Sequence, residues 1–229
     1  MSPVADTRNI LSAVDVLAGP VPEVVAGYQA IRSVIESDGA LSVAEKALLV
    51  AADDAVCSDG QLAVTEIARG RAAGLTDDQI VTGAATLLLS RGQRASERLL
   101  AAAGELSPGR PAAPPSQDDA TEYFLQYNVL DALPPRLAPL AERSSTVYEG
   151  YFRMHHGVLR ARPEFSKLAE LILCSLNAAD LRGDFVAIHA GAARRVGVTD
   201  DELVEAFVCA MAVGGVGAWA VAAGSLLPS

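Results

Sequence analysis

One pattern occurs twice in this chain at a fixed separation, and that repetition restricts the fold more than any other feature. Gly74-Leu75-Thr76-Asp77-Asp78-Gln79-Ile80 reappears as Gly197-Val198-Thr199-Asp200-Asp201-Glu202-Leu203, 123 positions later. The same shift carries Tyr28 onto Tyr151, Leu48 onto Leu171, Arg71 onto Arg194 and Gly92 onto Gly215. An ungapped shift of this length implies two similar structural units. Each such unit needs a neighbour to cover its apolar face. The chemistry is not repeated with the scaffold. Under the shift His189 falls on Glu66, and Glu170 falls on Ala47.

Apolar residues recur at helical spacing, as in Leu48, Leu49, Ala52 and Val56, or Leu168, Leu171 and Ile172. Ser42-Val43-Ala44-Glu45 reads as a capping box, and so do Thr76–Gln79 and Thr199–Glu202. Gly74 and Gly197 stand where a helix C-terminus needs a glycine. Strand signals are weak throughout. The expected fold is all-α, made of two tandem helical repeats. Residues 1–105 form the first repeat, 106–118 a proline-rich linker, and 119–229 the second repeat. The linker holds Pro108, Pro111, Pro114 and Pro115, which preclude a helix. A further helix is expected from Ala120 to Leu130.

Composition narrows the partners. The 229 residues carry a net charge of −10 without a basic cluster, so neither nucleic acid nor an anionic membrane is expected. The three cysteines form no CxxC, and all are expected as buried free thiols in a reducing cytoplasm. The N-terminus lacks the basic and apolar segments of a secretion signal. The apolar tail from Phe207 to Leu227 holds four glycines, which fits a close-packed helix pair better than a membrane span.

The candidate active site lies in the second repeat. The midpoint of Glu170 and His189 falls at 179.5, at the start of the expected turn Asp180-Leu181-Arg182-Gly183. In an antiparallel hairpin the two side chains would meet at one height. A carboxylate beside an imidazole fixes the ring tautomer and makes a usable acid/base near neutral pH. His155 continues a stripe begun by Tyr148, Tyr151 and Phe152, and His156 must point elsewhere. Arg182 suits a carboxylate or a developing enolate. No His-x3-His or HExxH spacing occurs, so no metal is expected, and no cofactor either. Asp53, Asp54 and Asp59 read as a solvated helix end and turn.

The stretch Lys167–Trp219 resembles the carboxymuconolactone decarboxylase and alkylhydroperoxidase D superfamily. The resemblance rests on the Glu170–His189 interval, the Gly-Val-Thr-Asp-Asp-Glu break and the apolar helix after it. Residues 41–93 match the same scaffold. The resemblance implies an all-helical homo-oligomer, a trimer in preference to a dimer, with sites between packed helical units. In the peroxidase branch a CxxC precedes the histidine. Arg182 and Phe185 occupy those two positions here, so thiol-based peroxide reduction is not expected. The resemblance then implies the family's cofactor-free carbon-acid chemistry, a lyase or isomerase acting on a small anionic carbonyl compound or lactone. Glu170 and His189 would be catalytic. Arg182, His155, Tyr151 and Phe185 would contact substrate. A non-catalytic helical binding or assembly protein is the alternative, with a peroxidase-related antioxidant protein behind it.

Overall fold

The computed structural model describes residues 14, 16–107, 109 and 119–227. Among them every regular element is helical. The first half contributes α1 (Pro22–Ile35), α2 (Val43–Cys57), α3 (Gln61–Ala72), α4 (Asp77–Arg91) and α5 (Gln93–Ala103). The second contributes α6 (Ala120–Asn128), α7 (Ala138–Arg143), α8 (Ser145–Leu159), α9 (Pro163–Ala179), α10 (Gly183–Arg195), α11 (Asp200–Gly214) and α12 (Val216–Ala222). A 3₁₀ turn, Ala223–Leu226, closes the described chain. Moving α4 by 123 positions gives the bounds of α11. The other shared helices agree to within a few residues; residues 16–18, which are helical, fall under α7 in the shift, and α6 has no counterpart among the described residues.

Local chemistry explains the shared bounds. Ser42, Thr76 and Thr199 each accept a bond from the backbone N–H three residues on, and the residue there reaches back. Both orphan donors are thereby satisfied. Gly92 and Gly215 separate α4 from α5 and α11 from α12 at φ 81° and 66°. A side chain is strained in that region, so glycine makes the break sharp.

Helices α2 and α9 are equivalent under the shift, and they pack against each other at the centre. Ala47 to Ala55 and Leu168 to Ala179 are buried without interruption, in one apolar cluster that draws on both halves. A helix covered on all sides loses the polar stripe of a surface helix. That corrects the reading of Asp53 and Asp54 as solvated, because both are buried. Ser175 of α9 donates to Asp53 at 2.6 Å, and burial pushes the Asp53 carboxyl well above the usual carboxylate range. Asp54 accepts from the Ala63 backbone N–H at 2.9 Å and from the Ser58 hydroxyl, tying α2 to the start of α3. Asp59 is exposed, as expected.

Three further expectations need correction or comment. Cys174 and Cys209 are buried, but Cys57 is exposed, because it is the last residue of α2. Helix α6 stops at Asn128 rather than Leu130, with Val129 turned into the left-handed region at φ 53°. Most of the proline-rich linker lies outside the described residues. Among the described residues no helix is long and apolar enough to cross a membrane. The glycines of the tail allow close approach. A Cβ on Gly214 would stand 2.7 Å from the Ala179 carbonyl oxygen.

Candidate active site

The turn Asp180–Arg182 joins α9 to α10 in a hairpin, with Glu170 nine residues before the end of α9 and His189 six residues after the start of α10. Glu170 lies in the middle of α9, 1% exposed. His189 lies in the middle of α10, its Nδ1 3.1 Å from Glu170 Oε2. The register read from the sequence therefore brings these two side chains together.

A third group completes the contact. Tyr127 reaches across from α6 and donates its hydroxyl to Glu170 Oε1 at 2.9 Å. The same oxygen lies 3.2 Å from His189 Nδ1. A phenol has one proton. With that proton on Glu170, the consistent arrangement places the imidazole proton on Nδ1, shared between the carboxylate and the phenol oxygen. Nε2 then holds the lone pair. Burial, and then the negative Glu170, push the Tyr127 hydroxyl far above its ordinary range, so it stays a donor. Arg195 of α10 donates to the Tyr127 carbonyl at 2.5 Å and fixes α6 over the hairpin.

Beside this network lies a cavity of about 190 Å³. Tyr151, His155, Arg182, Phe185 and His189, all expected at the site, line it. Glu170 does not reach its wall. It stands behind His189, which suits a positioning role better than that of a base touching a ligand. The Arg182 guanidinium carbon stands over the Phe185 ring, 4.4 Å from its centroid, a cation–π contact that helps hold it in place. Arg91 of the first half also lines the cavity. Sequence reasoning missed Arg91 and Tyr127, since neither belongs to the repeated pattern that marked Glu170 and His189. A larger hollow of about 480 Å³ beside Asp119, Thr146 and Glu149 is open surface and contains none of these groups.

His155 projects from α8 into an aromatic nest. Tyr127 meets it edge-on, ring centroids 4.5 Å apart. Tyr123 places its hydroxyl 2.7 Å from His155 Nδ1. Burial raises the Tyr123 hydroxyl well above its usual range, so the phenol donates and His155 carries its proton on Nε2. Burial first, then the cationic forms of His189, Arg136, Arg160 and His156, push the His155 imidazole down to about 3. It is neutral at physiological pH. A histidine held neutral in the folded state and free to charge when unfolded stabilises the fold fully above its unfolded pKa. That stabilisation is lost as pH falls from about 6.5 toward 3. Thermal melting of the wild type should therefore weaken with acid, at up to about 1.4 kcal/mol per pH unit below 6 from this group. His155→Phe should melt lower at pH 7 but show a flatter decline between pH 6 and 4, and parallel curves would contradict this assignment.

The equivalent place in the first half holds different chemistry. Under the shift, Arg32 stands for His155, Ala47 for Glu170 and Glu66 for His189. Glu66 is fully buried and accepts from Arg32 at 2.8 Å and from Arg69 Nε at 3.0 Å. An ion cluster occupies the ground of the acid–imidazole pair. Among the described residues, no group of three or more His, Cys, Asp or Glu is placed to hold a metal ion.

Comparisons with family models, with curated proteins and with solved structures found no match. What the site can do is set by its own geometry.

Proposed function

We propose that this chain is a cofactor-free acid/base enzyme, a decarboxylase-like lyase or isomerase acting on a small anionic carbonyl compound or lactone. On this reading it is a relative of the carboxymuconolactone decarboxylase and alkylhydroperoxidase D superfamily that works without redox thiols. The observation that carries the proposal is the Glu170–Tyr127–His189 network, with its histidine at the wall of a small cavity that also holds arginine.

His189 is the acid/base. Glu170 and Tyr127 are positioning residues that hold Nδ1–H and leave the Nε2 lone pair for substrate. In an isomerisation, Nε2 takes a proton from the carbon beside a carbonyl. The electron pair moves onto the carbonyl oxygen, and the imidazolium returns the proton at another carbon. In a decarboxylation, a carbon–carbon bond breaks as CO₂ leaves. Its electrons pass to the carbonyl oxygen, and the carbon is protonated by His189 after Nε2 has taken up a proton from solvent, which restores the neutral imidazole. The developing oxyanion needs donors that cost no reorganisation. The neutral His155, which lines the cavity with its proton on Nε2, supplies one. The same reading makes the protein a cytoplasmic homo-oligomer without nucleic-acid or membrane partners.

Thiol chemistry is disfavoured. Although Cys57 is exposed at the end of α2, partial desolvation and then Asp53 and Asp180 push its thiol up to about 12. Cys174 is shifted upward as well, by burial and then by Glu170. Neither forms the thiolate that a peroxidase needs. The test is turnover of a panel of lactones and β-keto acids, read as CO₂ release or as deuterium exchange beside the carbonyl. The variant Cys57→Ser, Cys174→Ala, Cys209→Ala should retain the activity once corrected for folded fraction. Activity that disappears with the thiols, or a panel that the folded wild type leaves untouched, would overturn the proposal.

A further inference from the structure

We propose, resting on the acid/base reading above, that Arg91 of the first half and Arg182 of the second form a clamp for a substrate carboxylate. The site then belongs to both halves of the chain, and the first half has a chemical role as well as a packing one.

Both guanidinium groups line the hollow that holds His189. They reach it from different halves. Arg91 is the last residue of α4, and Arg182 closes the turn before α10. Neither is a copy of the other. The shift takes Arg91 to Gly214 and brings Arg182 back to Asp59. Arg182 makes no ion pair among the described residues, and its only ring partner is Phe185. Arg91 is weakly compensated. Its Nη2 donates to Asn177 Oδ1 at 2.8 Å and stands 3.3 Å from Asp180 Oδ2, whose side chain is 42% exposed. Its Nη1 donates to the Ser90 carbonyl. Its Nε is buried with no partner among the described residues. A buried N–H without an acceptor is costly.

Two like charges around one small hollow repel each other, and an anion between them reverses the sign of the interaction. Burial, together with the neighbouring Arg182, already lowers the basicity of Arg91. A carboxylate matches this pair, because each of its oxygens can accept from a planar guanidinium. The cavity is smaller than the roughly 300–1,000 Å³ of drug-sized clefts, so the ligand is a small acid. The clamped carboxylate must be one that survives the reaction. Two cations stabilise a carboxylate against leaving as CO₂, and such ground-state binding would raise the barrier. The substrate class is thus a small oxo acid or lactone acid whose product keeps that carboxylate.

Levulinate and its neutral methyl ester separate charge recognition from shape. Calorimetry on the full chain should show that the wild type binds levulinate and not the ester. Arg91→Gln should bind it about tenfold more weakly or worse, the range for a lost hydrogen bond to a charged group. Arg91→Lys should recover part of the affinity, and Arg182→Gln should lose it as Arg91→Gln does. His189→Gln should bind levulinate like the wild type, since it lacks only the proton-moving group. Wild-type affinity in a folded Arg91→Gln, or a wild type that binds acid and ester alike or neither, would overturn the clamp. Turnover that still depends on His189 would then leave the acid/base reading standing. Intact clamping with turnover indifferent to His189 would sink that reading instead.

Discussion

His189→Gln should reduce turnover by about 10²–10⁴-fold, the usual contribution of a positioned acid/base, while leaving the melting temperature nearly unchanged. Its side chain is 12% exposed at the cavity wall, so glutamine can occupy the space without opening the apolar core. Glutamine cannot cycle a proton near neutral pH. Glu170 keeps the Tyr127 hydroxyl as a partner at 2.9 Å and is not stranded. The loss should fall on kcat more than on KM, because the imidazole acts in the transition state rather than in binding. Glu170→Gln and Tyr127→Phe should lose less, since they disturb the orientation of the base without removing it. Turnover and thermal melting on the same samples decide the point. A folded His189→Gln with wild-type turnover would remove His189 from the chemistry, and a variant that unfolds would show instead that the residue is structural.

The parts of this site legible in the sequence are those fixed by local chemistry. Capping boxes and left-handed glycines set the helix bounds in both halves. The placement of Glu170 and His189 on the two arms of one hairpin, with their midpoint at the start of its turn, pointed to their meeting. Tyr127 was out of reach because α6 lies outside the stretch matched by the 123-residue shift, and no spacing rule tells how a separate helix crosses a hairpin. Arg91 was hidden for a related reason: it approaches from the other half, and its equivalent position holds glycine. Asp53 and Asp54 were misread because a charge pair near a helix end ordinarily faces water. Here α2 is enclosed from every side, and their partners come from α9 and α3. Long-range packing thus accounts for each of these misses, while the end of α6 was misplaced for a local reason: Val129 takes the left-handed conformation that glycine or asparagine ordinarily marks.

Glu66→Ala should destabilise the fold by about 3 kcal/mol, toward the lower end of the cost of breaking a buried ion pair. For a chain of this size that is a fall in melting temperature of about 6–12 °C. Glu66 stands in the first half where the shift would put a histidine. Its carboxylate is fully buried between Arg32 and Arg69, whose side chains are 15% and 21% exposed. Arg32 also holds Glu36, and Arg69 also donates to the Ile35 carbonyl at 3.2 Å. Removing the acid leaves two guanidinium groups facing each other with only partial compensation, which places the expected cost low in the range. Replacing all three at once, with Arg32→Met, Glu66→Leu and Arg69→Met, should be far milder, because hydrophobic groups of similar volume can take the place of a buried ion cluster. Denaturant and thermal unfolding of the two proteins separate a charge-balance role from a packing one. If Glu66→Ala melts with the wild type, the cluster contributes no lock. If the triple variant is worse than the single one, the ion contacts themselves carry stability. The expected order would show that a balanced ion cluster fills, at little net cost, the space that the Glu170–His189 pair occupies in the second half.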